Sequence, residues 1–178
     1  PVAGHKIAAL GSAQARVLES WGNIGKCEVV GSPRFDSLLA PAQATREDRE
    51  FARILVTTAR RPGFTDDQLI AVRQSLGDLK QWFDEHPTLG GRPVEVIWRL
   101  TAGLEDDLSI DAPSHDTCGT SLAELLPNVD ALITTPSTTM IEGMLAGKPV
   151  AVLDYTNSPV YTPPAWSITS RDHIGGVI

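Results

Sequence analysis

Two textures alternate along the chain. Runs with few polar breaks, "KIAAL" (6–10), "KCEVVGS" (26–32), "RILVTTA" (53–59), "PVEVIWRL" (93–100), "DALITT" (130–135) and "PVAVLDY" (149–155), read as strands. Between them, apolar residues recur every three or four positions, as on a helix with one buried stripe. "SAQARVLESWG" is expected to be a helix with Ser12 as N-cap and Gly22 as stop. "TDDQLIAVRQSLGDLKQWFDEHP" is another, with Thr65 as N-cap and Asp66 and Asp67 in the first turn. "TSLAELLPNV", capped by Thr120 or Ser121, and "STTMIEGMLAGK" complete the set. "PRFDSLLAPAQATRED" reads as a connector that becomes helical near 46–52, "RRPGF" as a tight loop, and "LEDDLSIDAPSHDTCG" as a polar stretch with one short strand at its centre. Continuous apolar strands alternating with helices predict an α/β fold, a doubly wound parallel sheet from about residue 45 onward.

Composition narrows the function classes. The 178 residues suit one domain or slightly more. Lys and Arg total 15 against 22 Asp and Glu, a net charge of −7 with no basic block, which disfavours nucleic acid as a partner. Cys27 and Cys118 lie far apart without metal spacing and read as reduced thiols. No apolar run approaches the ~18 residues of a spanning helix, and no signal peptide opens the chain. It begins at Pro1 without Met and stops at "HIGGVI", so a fragment of a longer enzyme is expected.

Ligands of such sheets bind beyond the carboxyl ends of the strands, so the loops there carry the candidate chemistry. In "TTARRPGF", Thr57, Thr58, Arg60 and Arg61 stand where hydroxyls and guanidinium forks suit a phosphate. A surface turn with solvated arginines is the plainer alternative. Ser137, Thr138 and Thr139 follow Pro136 where a strand hands over to a helix, and a helix start offers unpaired N–H donors to an anion. Glu142 shares the helix side of Thr138 and Thr139 and could accept from two ribose hydroxyls. The plainer alternative makes Ser137 a cap and Glu142 a solvated charge. In "GSPRFDSLL", Arg34 and Asp36 either brace a linker or line a hinge between two lobes. His115 reads as a solvated loop residue, His86 as a partner of a helix end, and Trp82, Trp98 and Trp166 as core or interlobe packing. Asp106 and Asp107 lack Asp-x-Asp spacing, so no metal is expected.

"GSPRFD", "ILVTTAR", "VEVIWRL" and "LAELLPNVDALITTPSTTMIEGMLAGKPVAVLDY" come in the order and spacing of the C-terminal lobe of GT-B-fold transferases. The chain resembles most the CDP-glycerol glycerophosphotransferase and surface-polysaccharide glycosyltransferase group. Non-hydrolysing UDP-N-acetylglucosamine 2-epimerases share the last corner and are the nearest rival. The resemblance implies that 1–40 is the end of the N-terminal lobe with the interlobe linker, and 41–178 the nucleotide-donor-binding lobe. It matches Ser137 and Thr138 to a diphosphate-holding hydroxyl pair and Glu142 to the ribose. Thr58 and Arg60 match the first-strand loop, and Arg34 and Asp36 the linker motif. Arg99 fits the family's Arg/Lys-x-His-Pro segment, but Thr101 stands where the histidine would be. Thr135 replaces an acidic residue of the corner and Pro136 an aromatic.

The implied activity is transfer from a UDP-sugar or CDP-glycerol type donor, without cofactor, in cell-surface polysaccharide synthesis. The general base would lie on the missing N-terminal lobe, so the fragment alone is expected to be inactive. A cytoplasmic parent is implied, with peripheral association at the inner face of the membrane as an extension of the same resemblance. The Thr101 and Thr135 replacements keep open a non-catalytic nucleotide-binding or scaffolding module, and a plain structural domain remains the simplest alternative.

Overall fold

The computed structural model describes residues 4–38, 50–59, 64–101, 103–108, 119–156 and 164–178. The chain divides into two compact units, Pro1–Ala40 and Pro41–Ile178. Unit 1 contains β1 (Ile7–Ala9), α1 (Ser12–Ser20) and β2 (Cys27–Val29), followed by a 3-10 turn at Pro33–Leu38. β1 and β2 pair in parallel from Ile7↔Cys27 to Ala9↔Val29. Gly11, not Ser12, occupies the N-cap of α1; the extended backbone there turns directly into the helix, and Ser12 is its first residue. The Gln14 side chain accepts the Leu10 N–H at 2.6 Å and so satisfies a donor ahead of the helix.

Unit 2 holds β3 (Ala52–Thr57), α2 (Asp66–Glu85), β4 (Thr88–Leu89), β5 (Arg92–Arg99) and α3 (Leu104–Asp107). It continues with α4 (Leu122–Leu125), β6 (Ala131–Thr134), α5 (Thr139–Leu145), β7 (Val150–Leu153), β8 (Trp166–Ile168) and α6 (Ile174–Val177). The sheet order is β4-β5-β3-β6-β7-β8. Every pairing is parallel except β4 with β5, a tight antiparallel edge ribbon. This is a doubly wound α/β sheet, as the alternation of textures predicts.

Register shows which face each helix covers. Ile54, Val56, Ile133, Ala151, Leu153 and Ile168 share one core cluster with Val72, Leu76, Leu79 and Phe83 of α2 and Ile174 of α6. Leu55, Leu132 and Val150 belong to the opposite face by the period of two in a pleated strand. There α5 presses Gly143 so close that a Cβ on it would lie 2.5 Å from Leu132 Cδ2 and 2.9 Å from Val150 Cγ2. Helices therefore cover both faces, and strands buried on both sides explain their unbroken apolar runs.

Local chemistry fixes the helix ends. Thr65 and Gln68 form a reciprocal capping box on α2, and Ser121 and Glu124 another on α4. α5 stops in a Schellman turn: Gly147 N–H reaches Met144 O and Lys148 N–H reaches Gly143 O, each at 3.0 Å. Gly147 takes φ +69 there, a conformation that disfavours any side chain. Lys148 adds a bond of its own, from Nζ to the Val129 carbonyl at 2.8 Å.

Three further expectations differ. Ala52, assigned to a helix near 46–52, opens β3, where it is buried in register with Val94 of β5; 46–49 lie outside the described residues. In the polar stretch after β5, Leu104–Asp107 is helical, packed through buried Leu104; its expected strand centre falls outside the described residues. Trp166 is 46% exposed on edge strand β8, which sets aside the core half of its expected core or interlobe packing. Among the described residues, no helix is long and apolar enough to cross a membrane.

Candidate functional site

The chain leaves β3 toward β5 on one side, then returns past β3 to form β6 on the other. Strand order therefore reverses between β3 and β6. At such a point the connections diverge to opposite faces and leave a crevice beyond the carboxyl ends. Both strands run out through a Thr-Thr pair, at 57–58 and 134–135, the first Thr closing the strand and the second following it.

The hydroxyls from these ends meet. Arg99, Thr57 and Thr134 are register partners across β5, β3 and β6, in one row on the face that α5 covers. Thr57 Oγ1 donates to Thr134 Oγ1 at 2.9 Å, and Thr134 Oγ1 donates to the Thr135 carbonyl at 2.9 Å. Ser137 Oγ lies 3.1 Å from Thr134 Oγ1. Since the single hydrogen of Thr134 goes to Thr135, Ser137 is the donor of that pair. It must turn its hydrogen away from Thr134 before it can donate to a ligand.

A second set lies one residue further along. Thr58 Oγ1 accepts the Thr101 N–H at 2.7 Å and sits 3.0 Å from Thr101 Oγ1, which donates to the Ala59 carbonyl at 2.9 Å. Thr135 Oγ1 accepts the Ala59 N–H at 2.8 Å. Thr57, Thr58, Thr134 and Thr135 are all buried, so these bonds replace water that the groups have lost.

The structure brings some of the proposed ligand residues together around the reversal. Thr58 directly follows the last residue of β3, but its hydroxyl is turned onto Thr101. Arg99 and Ser137 are half-buried at the reversal, Thr138 is exposed and Thr139 half-buried. Glu142 is half-buried one turn into α5, its N–H bonded to the Thr138 carbonyl at 3.1 Å. α5 spans only seven residues and starts at Thr139, two positions later than the sequence suggests. Arg60, Arg61, His115 and Cys118 lie outside the described residues. Arg34 and Asp36 are exposed on the 3-10 turn of unit 1, with the Arg34 guanidinium 5.7 Å from the Phe35 ring centre.

Elsewhere, a cleft of about 460 Å³ is lined by Phe64, Leu69, Leu104 and Thr101, with the Arg73–Asp107 ion pair, 2.7 Å, at its wall. His86 stacks on Trp82 with 4.2 Å between ring centres, and its Nδ1 lies 2.8 Å from the Trp82 carbonyl. Both residues therefore belong to the end of α2. Among the described residues, no three His, Cys, Asp or Glu side chains gather as a metal site would require. The sequence reading counted Thr57 among the phosphate candidates, passed over Thr134 and noted Thr101 and Thr135 only as replacements; the repeated Thr-Thr at two strand ends was the available signal for their pairing.

A mostly parallel six-stranded sheet with helices on both faces and its order reversed at the central strand is a Rossmann-like lobe of the GT-B type. A solved structure that shares this fold is the wall teichoic acid polymerase TagF, in a substituted form soaked with CDPG. It matches 97% of this chain with a TM-score of 0.61 and 16% identity, and the chain spans 45% of that polymerase's length. At this identity the likeness establishes the fold. No protein-family model and no curated protein matches the sequence.

Proposed function

We propose that residues 41–178 are the donor-binding lobe of a GT-B-like glycosyltransferase or glycerophosphotransferase of cell-surface polysaccharide synthesis, and that residues 1–40 end its other lobe. The observation that carries this reading is the strand reversal at β3 and β6, with Arg99, Ser137 and Glu142 on the elements around it. The likeness to a polymerase soaked with CDPG supports a nucleotide-activated donor of UDP-sugar or CDP-glycerol type.

In this reading an acceptor hydroxyl attacks the donor and the nucleotide phosphate departs with the bonding electrons. Arg99, with Arg60 and Arg61 from the loop after β3, offsets the charge on the leaving phosphate. Ser137 and Thr138 donate hydroxyl hydrogens to its oxygens, and Glu142 accepts from the ribose hydroxyls. Groups held ready for the developing charge stabilise the transition state without reorganising during the step. The proton of the acceptor goes to a base on the other lobe.

A ligand-observed NMR titration against UDP, CDP, GDP and ADP tests the reading. One diphosphate is expected to bind, and Glu142→Ala to weaken it at least tenfold, on the scale of a lost pair of charge-assisted bonds. Silence from all four in a folded chain overturns it. The non-catalytic module is the second reading, favoured by the closure of Thr101 onto Thr58 and Ala59, at the position where the family that the sequence resembles often carries a histidine. It predicts nucleotide binding with no transfer by the full-length parent.

A further inference from the structure

Ala59 is held from two sides by residues of two different strand ends. Its carbonyl accepts from Thr101 Oγ1 at 2.9 Å, just beyond β5, and its N–H donates to Thr135 Oγ1 at 2.8 Å, just beyond β6. Thr101 is itself anchored, because its N–H donates to Thr58 Oγ1 at 2.7 Å. Ala59 is buried and is the second residue past the last residue of β3. A carbonyl and an N–H of one residue, each fixed by a separate side chain, define the orientation of both flanking peptide planes. The chain therefore departs from β3 in one direction at the strand reversal.

We infer that Thr101 and Thr135 are a positioning pair for this site, a two-sided clamp on Ala59 that aims the chain leaving β3. Neither residue needs to touch a ligand to do this. A hydroxyl serves because it donates on one side and accepts on the other: Thr101 must give a hydrogen to a carbonyl, and Thr135 must offer a lone pair to an N–H. An acidic side chain at 135 could also accept, but would leave a buried charge. A valine could do neither. As a contributor to nucleotide binding, the pair rests on the donor-lobe reading; as a clamp it does not.

Amide hydrogen exchange on the 178-residue chain, run beside the nucleotide titration, separates the two claims. Thr135→Val is expected to speed exchange at Ala59 about tenfold or more, with α2 and β7 amides as in the wild type. Thr135→Ser, which keeps the acceptor, is expected to restore protection. Thr101→Val is expected to weaken the nucleotide that the wild type binds by about tenfold, and Thr101→Ser to recover it. Unchanged exchange at Ala59 in Thr135→Val overturns the clamp. Faster exchange with wild-type affinity in both valine variants shows a purely structural bond and overturns the positioning role. If wild type binds none of the four nucleotides, the donor-lobe reading and the positioning role fall together, and exchange at Ala59 alone decides the clamp.

Discussion

Tyr155 shows how a single phenol can give the fold a pH limit. Its hydroxyl donates to Asp78 Oδ2 on α2 at 3.2 Å, while Arg171 approaches the other oxygen at 3.4 Å and Gln81 Oε1 at 2.9 Å. Burial first, and the Asp78 charge second, push the phenol above its ordinary pKa. A pKa raised in the folded state means that folding favours the protonated form. The contribution is complete below the unfolded value of about 10 and fades as pH climbs through the folded one. Urea midpoints at pH 8 and pH 11 are expected to fall more between the two conditions for wild type than for Tyr155→Phe. Equal falls would remove Tyr155 from the account. This coupling is invisible in the sequence, where Asp78 and Tyr155 stand 77 positions apart.

At the scale of elements, the seat of α5 depends on having no side chain at Gly143. A β-branched residue there would overlap Leu132 and Val150, both buried on the facing strands. Gly143→Val is expected to cost about 1–3 kcal/mol by overpacking, read as a lower denaturant midpoint. Gly143→Ala should cost less, because the gain in helix propensity of about 1 kcal/mol offsets part of the clash. A valine variant as stable as wild type would mean that α5 can shift outward freely.

The same helix shows what was legible. Its Gly-Lys-Pro stop and the strands beside it follow from local pattern, as does the Thr65 cap of α2. The shortest elements at the sheet edges and the chain end did not: β4 and β8, of two and three residues, are too short for a period of two to register, and the four-residue α6 hides in "HIGGVI" because two glycines mask its helical turn. At the site, residue types could be read but their partners could not. Thr58 and Thr101 meet across 43 positions and Thr57 and Thr134 across 77, so no local pattern says whether a hydroxyl faces a ligand or another hydroxyl.

At the scale of the whole molecule, the two units differ in what they can bury. Among its described residues, unit 1 buries Ala9, Asn23 and Leu38 and exposes Leu10, Val17, Trp21, Ile24, Val29 and Val30. A two-stranded parallel sheet with so little core is not independently stable. Residues 41–178 carry their own two-faced core. Made alone, they are expected to melt cooperatively within a few degrees of the full chain, whereas 1–40 alone should give the circular dichroism of a coil. A non-cooperative melt of 41–178 would refute the independence of the larger unit.

The strand order also sets a timetable. β3 is the first strand of its sheet to be synthesised, yet it lies between β5 and β6, and Thr57 meets Thr134 only 77 residues later. At roughly 5–20 residues per second on the ribosome, that interval is about 4–15 s. For those seconds Leu55 and Val56, almost wholly enclosed in the finished sheet, border an unpaired edge. The strand that ends in the candidate site is thus the one that a chaperone would have longest to find.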